Sequence, residues 1–239
     1  KNAVVVLIVA ANINAVLSRC AFRGSCVPQA VCACSLDHPD CIPGSDICPF
    51  PSGGAPCLNH DDEEPVVAST IAPSIESVCH GVFSSTDLVC CSEEQLKTLT
   101  NQLAMAEGLL QRCPACFLNF RVFWCKFTCS KDQADFVSVE QSQLCNATQH
   151  PAPNKNGGCL DSPSWSSLSP AVQGVNVQVD SVFADGLFQS CSSVTVPATG
   201  QRAMELAFGH SRTAHDFLRF QGVDAYHSGQ SPIRISFNL

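Results

Sequence analysis

The sequence predicts a disulfide-rich α+β domain. Three observations carry this. A capped amphipathic helix runs into a second, aromatic helix between Cys90 and Cys129; the stretch Ser231–Leu239 alternates like a strand; and seventeen cysteines fall in 239 residues. A chain of this length forms one or two domains with a real core. In an exported chain such a cysteine share is a disulfide framework.

The first element is the apolar run AVVVLIVAA after Lys1, followed by small residues up to Ser18. It has the shape of a secretory signal and is too short to span a membrane comfortably. An ordinary buried strand is the alternative, but the cysteines favour export. Residues 1–18 are therefore set apart from a domain over 19–239. Beyond Arg19 the chain is rich in Pro, Gly and Cys and has no period, as expected of loops held by disulfides. Cys26, Cys32, Cys34, Cys41, Cys48 and Cys57 suffice for three local bridges of undefined order. Asp61-Asp62-Glu63-Glu64 reads as a solvated acidic turn rather than a calcium or docking site. Ile71–Leu88 is a mixed connection to Cys79 and the Cys90-Cys91 pair.

Ser92-Glu93-Glu94-Gln95 is a capping box, in which the Ser92 hydroxyl and the Gln95 side chain satisfy each other's backbone amides. Leu96, Leu99, Leu103, Ala106 and Leu110 then recur at helical spacing, and Pro114 stops or restarts the helix. Phe117, Phe120, Phe123, Trp124 and Phe127 leave the next helix apolar almost all round. Such a helix is buried, or it lines a cavity for something apolar. Residues 130–170, full of Ser, Pro, Asn and Gln, read as a surface excursion closed by a Cys145–Cys159 bridge, with a glycosylation sequon at Asn146. Val172, Val175, Val179, Val182, Phe183, Leu187 and Cys191 follow helical spacing. Pro197 breaks the chain, and Gln201–Phe208 and Ala214–Phe220 read as short helices with Gly209 as the stop between them. In the final strand Ile233, Ile235 and Phe237 point one way, and Arg234, Ser236 and Asn238 the other.

Net charge is −8 and only 14% of residues are charged, which excludes nucleic acid as a partner because no basic stripe exists. No later stretch reaches ~18 continuous apolar residues, so any membrane part lies beyond Leu239. The nucleophile elbow, the Walker loop and the Rossmann glycines are missing. Nothing specific points to an enzyme or a cofactor. Cys113-Pro114-Ala115-Cys116 has the C-x-x-C form of thiol-disulfide oxidoreductases, but that motif belongs after a strand in a βαβ unit. Here it lies between two helices, which favours separate bridges to distant partners. Cys32-Ala33-Cys34 with His38 lacks the second knuckle of a zinc site. His210 and His215 are five apart and share no helical face, so no metal site is expected.

Gln95, Thr98 and Gln102 lie at i, i+3 and i+7, about a quarter turn from the leucine face. They form either a solvated helix side or a few neutral polar groups at the mouth of an apolar pocket. The second arrangement suits a ligand with one hydroxyl on a greasy body, since a charge there is costly.

The strings RCAFRGSC, CCSEEQLKTL, RCPACFLNF, WCKFTCS, FADGLFQSC and GQSPIRI, in that order, resemble the luminal N-terminal domain of Niemann-Pick type C sterol transporters. The resemblance covers most of residues 19–238, is strongest from Cys79 to Ser130 and is weak between Val27 and Pro56. It implies helices around a small mixed sheet with a deep apolar pocket for cholesterol or a related sterol. It also implies intracellular sterol transport on the luminal side of a lysosomal, endosomal or vacuolar membrane. Sterol would arrive from a soluble luminal Niemann-Pick type C carrier and pass to a membrane part encoded beyond Leu239. The implied ligand-binding residues are Phe22, Gln95, Thr98, Gln102, Phe117, Trp124, Leu206, Ala207, Pro232, Ile233 and Ile235. Gln95 falls near the sterol hydroxyl, and Leu206 and Ala207 fall on a rim helix used for handing sterol over. The implied disulfides are Cys20–Cys90, Cys79–Cys125, Cys91–Cys129 and Cys116–Cys191, with Cys113 paired to a cysteine beyond Leu239.

The chain also departs from that family. Its hydroxyl-binding asparagine is matched here only by Pro56 or Asp40. Phe208 and His215 stand where the family has a small disulfide, and Val27–Pro56 looks like an insertion. Two rival readings remain open: a secreted cysteine-rich interaction module without ligand, and an oxidoreductase using Cys113 and Cys116.

Overall fold

The computed structural model describes residues 18–23, 64–110, 112–143, 171–196, 200–206, 208–227, 231 and 233–239. The apolar N-terminal run, the six early cysteines with His38, Asp40 and Pro56, the stretch Asp61–Glu63, Cys145, Asn146, Cys159, Pro197, Ala207 and Pro232 lie outside them.

Helix α2 (Glu93–Leu110) starts where its capping box says it should. The Ser92 N–H donates to Gln95 Oε1 at 2.9 Å and the Gln95 N–H donates to Ser92 Oγ at 3.3 Å. All five residues of its predicted apolar stripe are buried. Helix α3 (Pro114–Cys129) follows at once, with proline in its first turn, where the missing N–H costs nothing. Its buried side chains are Phe120, Phe123, Phe127 and three cysteines, Cys116, Cys125 and Cys129. Each of those cysteines ties α3 to another part of the chain: Cys79–Cys125, Cys91–Cys129 and Cys116–Cys191. A fourth bridge, Cys20–Cys90, secures the N-terminal segment. These four are the pairs that the resemblance implies. They close sequence separations of 70, 46, 38 and 75 residues. In the chain-entropy model loops of this length stabilise by about 4 kcal/mol each.

Strands β1 (Val66–Val67) and β2 (Leu88–Val89) form a small antiparallel ribbon on either side of α1 (Ile75–Val78). The main sheet has the order β3-β4-β5, with β3 (Val137–Gln143) antiparallel to β4 (Ala171–Gln178) and β4 parallel to β5 (Arg234–Asn238). Between β4 and β5 the chain forms α4 (Ser181–Ser192), α5 (Ala203–Leu206), α6 (Ala214–Arg219), a π-turn over Phe220–Asp224 and α7 (Ala225–His227). The predicted α+β class is thus what the chain adopts: helices around a small mixed sheet. Among the described residues no helix is long and apolar enough to cross a membrane.

Two predicted elements differ. The helical spacing read from Val172 to Cys191 covers a strand and then a helix. Residues 171–178 form β4, because β-branched residues pack well on a pleated surface. The spacing misleads because the ladder between β3 and β4 is irregular. Val139 faces Val175, Gln141 faces Gly174 and Ser142 faces Val172, so one residue on each strand bulges out and the alternation breaks. The other difference lies in the surface excursion of 130–170, where residues 137–143 form β3. Val137 and Val139 alternate there within an otherwise polar run.

The N-terminal segment is held by one buried polar side chain. Gln133 is fully buried, and its Oε1 accepts from the Ala21 N–H at 3.0 Å and the Phe22 N–H at 3.2 Å. Its Nε2 donates to the Phe127 carbonyl at 2.9 Å and the Thr128 carbonyl at 3.3 Å. Replacing Gln133 by alanine strands buried donors and acceptors that cost about 1–3 kcal/mol apiece. Chemical unfolding of Gln133→Ala with the disulfides intact is expected to show a loss of about 2–4 kcal/mol; a loss below about 1 kcal/mol removes this residue from the frame.

Helix α6 opens on a second capping box, with the Asp216 N–H donating to Thr213 Oγ1 at 3.1 Å and Asp216 Oδ2 accepting from the Thr213 N–H at 3.2 Å. The Thr213 hydroxyl, then the Arg212 N–H, hold the Asp216 carboxyl below its ordinary value. A depressed carboxyl contributes stability that is complete above its unfolded value and is lost as pH falls through the folded one. Unfolding of Asp216→Ala against the natural chain is expected to show a constant gap from about pH 7 to pH 5, closing below about pH 4. A gap that widens on acidification contradicts this.

Candidate functional site

The core divides into two apolar clusters. The larger joins α1, α2, α3, α4 and α6, and the smaller joins Phe22 and Phe127 to the sheet through Val137, Val172, Val175, Val177, Ile233 and Ile235. Three side chains pack against both clusters: Trp124 on α3, Val179 after β4 and Phe237 on β5. All three are only half-buried. Large apolar groups at the junction of two cores are normally sealed, since each loses stabilisation in proportion to the area left wet. Here solvent reaches the junction, and it forms an apolar seam.

Aromatic rings line the seam. The Trp124 ring centroid lies 5.2 Å from Phe123, 5.6 Å from Phe127 and 6.5 Å from Phe237, each edge to face. Phe237 also lies 5.5 Å from Phe123, and Phe22 lies 5.9 Å from Phe127. None of these side chains carries a charge. Among the described residues the ionisable groups with displaced pKa values, Glu76, Lys97 and Asp216, are exposed and lie elsewhere.

The structure brings together Phe22, Trp124, Ile233 and Ile235 of the sequence-predicted residues. Ile233 and Ile235 are buried in the same small cluster as Phe22. Phe117 is half-buried against the larger cluster, with the Arg121 guanidinium 5.2 Å over its ring. It stands seven residues before Trp124, so it shares that stripe of α3 about 10 Å away. Gln95, Thr98 and Gln102 are half-buried along α2, whose first turn is fixed beside the last turn of α3 by Cys91–Cys129. Gln95 is already oriented by the cap, since its carboxamide oxygen accepts from the Ser92 amide. Leu206 ends α5.

Val179 and Phe237 were absent from the sequence-predicted site. Phe237 had a signal in its alternation with Ile233 and Ile235. Val179 had none, because its neighbourhood reads as a helix. Phe208 is buried and packs its ring 5.9 Å from Phe120 and 5.3 Å from Phe217. Cys113 carries a free thiol whose Sγ donates to the Ser190 carbonyl at 3.4 Å. The C-x-x-C pair is not bridged to itself, since Cys116 bonds to Cys191. Among the described residues no cluster of His, Cys, Asp and Glu could hold a metal ion.

Known proteins share this sequence pattern. The family model of the Niemann-Pick C1 N terminus matches residues 17–239. The chain is 34% identical over 144 residues to the NPC intracellular cholesterol transporter 1 homolog 1 of Caenorhabditis elegans, covering 59% of this chain and 10% of that protein. It is 28% identical over 189 residues to the NPC1-like intracellular cholesterol transporter 1 of Rattus norvegicus, covering 77% and 12%. It is 27% identical over 163 residues to the NPC intracellular cholesterol transporter 1 of Sus scrofa, covering 68% and 12%. The chain therefore spans about a tenth of the length of these curated relatives. By the extent of the family match, the chain belongs to the Niemann-Pick C1 N-terminal domain family.

Proposed function

We propose that this chain binds cholesterol or a related sterol in the apolar seam and takes part in intracellular sterol transport. The observation that carries the reading is the half-burial of Trp124, Val179 and Phe237, the three side chains that pack against both clusters. A rigid polycyclic body suits a wall of edge-to-face rings. Removing its apolar surface from water at ~25 cal/mol per Å² supplies ample affinity. Gln95, with Thr98 and Gln102, offers neutral hydrogen-bonding groups to a single hydroxyl and so sets orientation. Phe22, Phe117, Ile233 and Ile235 complete the apolar lining, and Leu206, Ala207 and Pro232 belong to the proposed rim and wall.

In this reading residues 1–18 are a secretory signal and 19–239 a luminal N-terminal domain. A disulfide framework belongs in an oxidising compartment, which agrees with a luminal site on a lysosomal, endosomal or vacuolar membrane. A soluble luminal Niemann-Pick type C carrier delivers the sterol, and a membrane part beyond Leu239 receives it. The oxidoreductase reading loses ground because Cys116 is engaged with Cys191.

Titration with labelled cholesterol in nonionic detergent tests the proposal directly. Saturable binding, competed by unlabelled sterol, is expected; its absence ends the reading. Trp124→Ala is expected to weaken binding roughly thirtyfold, the equivalent of about 2 kcal/mol of lost apolar contact. Gln95→Glu separates cap from ligand contact. Glutamate keeps the capping-box acceptor but brings a charge to the hydroxyl end, so binding should fall while thermal stability stays within about 0.5 kcal/mol.

A further inference from the structure

Helix α3 carries two basic residues, Arg121 and Lys126, and no acidic one. Lys126 has ordinary reasons to be there. It is exposed, lies in the last turn, where the helix dipole favours a cation, and sets its ammonium 4.7 Å over the Phe83 ring. Arg121 stands mid-helix and is half-buried. Its guanidinium lies 5.2 Å over the Phe117 ring. None of the ion pairs among the described residues includes it. Its Nε is the one buried side-chain nitrogen or oxygen among the described residues that has no hydrogen-bond partner. Buried polar groups are otherwise satisfied in folded chains, so an orphan of this kind requires a cause. A ring face attracts the charge but leaves the in-plane N–H groups unanswered.

Phe117, Arg121 and Trp124 stand at i, i+4 and i+7, on one stripe of α3. Phe117 and Trp124 both belong to the proposed sterol lining. Helical side chains lean towards the N-terminus, which is how Arg121 reaches back over Phe117. Gln95 belongs to the opposite end. It follows Cys91, which Cys129 holds beside the last turn of α3, whereas Arg121 precedes Cys129 by eight residues, about 12 Å along the helix. A sterol whose hydroxyl meets Gln95 and whose body lies along the stripe brings its side chain to Arg121. A partly dried guanidinium attracts an anion more strongly than one in water, because the local dielectric is low. Its planar N–H fork matches the two oxygens of a carboxylate. The chain as a whole has a net charge of −8, so this cation is a local feature of the stripe.

We propose that Arg121 is an anion-binding residue of the ligand site, and that the chain favours sterols bearing a side-chain carboxylate over neutral sterols of the same shape; the inference rests on the sterol reading above and narrows its ligand class. The carboxylate pairs with the edge of the guanidinium, while the Phe117 ring covers one of its faces. Gln95 keeps the hydroxyl end, so the two polar ends of such a sterol are read by different helices.

The test measures displacement of labelled cholesterol, in nonionic detergent at about pH 7, by 3β-hydroxycholenoic acid and by its methyl ester, which share a skeleton and differ in charge. The acid-to-ester ratio of affinities is expected to be about tenfold higher on the natural chain than on Arg121→Leu. The ratio cancels any packing lost against Phe117, so a merely structural role for Arg121 leaves it unmoved. An equal ratio on the natural chain and a folded Arg121→Leu overturns the proposal. Should that variant fail to fold, Arg121→Gln takes its place, and the natural chain alone also decides. Its preference for the acid is expected to fade as pH falls to about 4 and the carboxyl takes up its proton, with ester binding unchanged; a preference that persists there overturns the ion pair. Cholesteryl sulfate carries its charge at the hydroxyl end and is expected to gain nothing from Arg121. A gain equal to that of the acid overturns the side-chain assignment. Should the natural chain bind no cholesterol, the sterol reading fails. Direct titration with the labelled acid then decides: saturable binding that Arg121→Leu abolishes supports the anion site, and its absence removes it.

Discussion

Helix α3 is bonded covalently to three other parts of the chain, and the rest of the structure follows from that constraint. Cys125 and Cys129 lie one turn apart and reach Cys79 and Cys91, while Cys116 at the other end reaches Cys191 on α4. A helix this apolar has no preferred solvated side, so hydrophobicity alone leaves its rotation about its own axis poorly defined. The bridges define it. Once they close, Phe120 and Phe123 turn into the larger cluster, Phe127 into the smaller one, and Trp124 is left between them. Gln133 extends the same frame by pinning the backbone of Ala21 and Phe22 to the end of α3, which brings Phe22 onto Phe127.

Much of this was legible in the residues. The α2 cap and its leucine stripe are local signals, and local signals survive folding: Ser92 and Gln95 bond as their spacing requires. The C-terminal alternation was equally direct. What failed was the reading of β4, where compensating bulges on β3 and β4 replace a two-residue period with one that mimics a helix. No single-strand pattern reveals a bulge whose cause sits on the neighbouring strand. The candidate site divides in the same way. Trp124 announced itself by residue type. Val179 did not, because its place at the junction depends on where β4 ends. Gln133 sat in a polar stretch that looked like surface, and only its four backbone partners show why a glutamine is buried there.

The packing at Phe208 shows how a chain is held where no disulfide reaches it. A disulfide restrains chiefly by limiting the unfolded chain, whereas a buried ring acts through packing, which is distributed and yields more gradually. Phe208 lies against Phe120 and Phe217 and joins α3 to α6 without a covalent bond. The cross-links accordingly stop at Cys191, and the later chain, including α6, the π-turn and β5, is held by packing and hydrogen bonds among its described residues.

That division leaves the seam with one side that is cross-linked and one that is not. The cross-linked side is α3, bridged to α4 and to the segment just before α2. The other is a strand held by its ladder and a turn held by contact with that strand. For the sterol proposed above, the cross-linked side is the one that supplies a wall of defined shape. Had the bridges been absent from α3, the aromatic stripe could rotate to fill the junction, and no seam would remain.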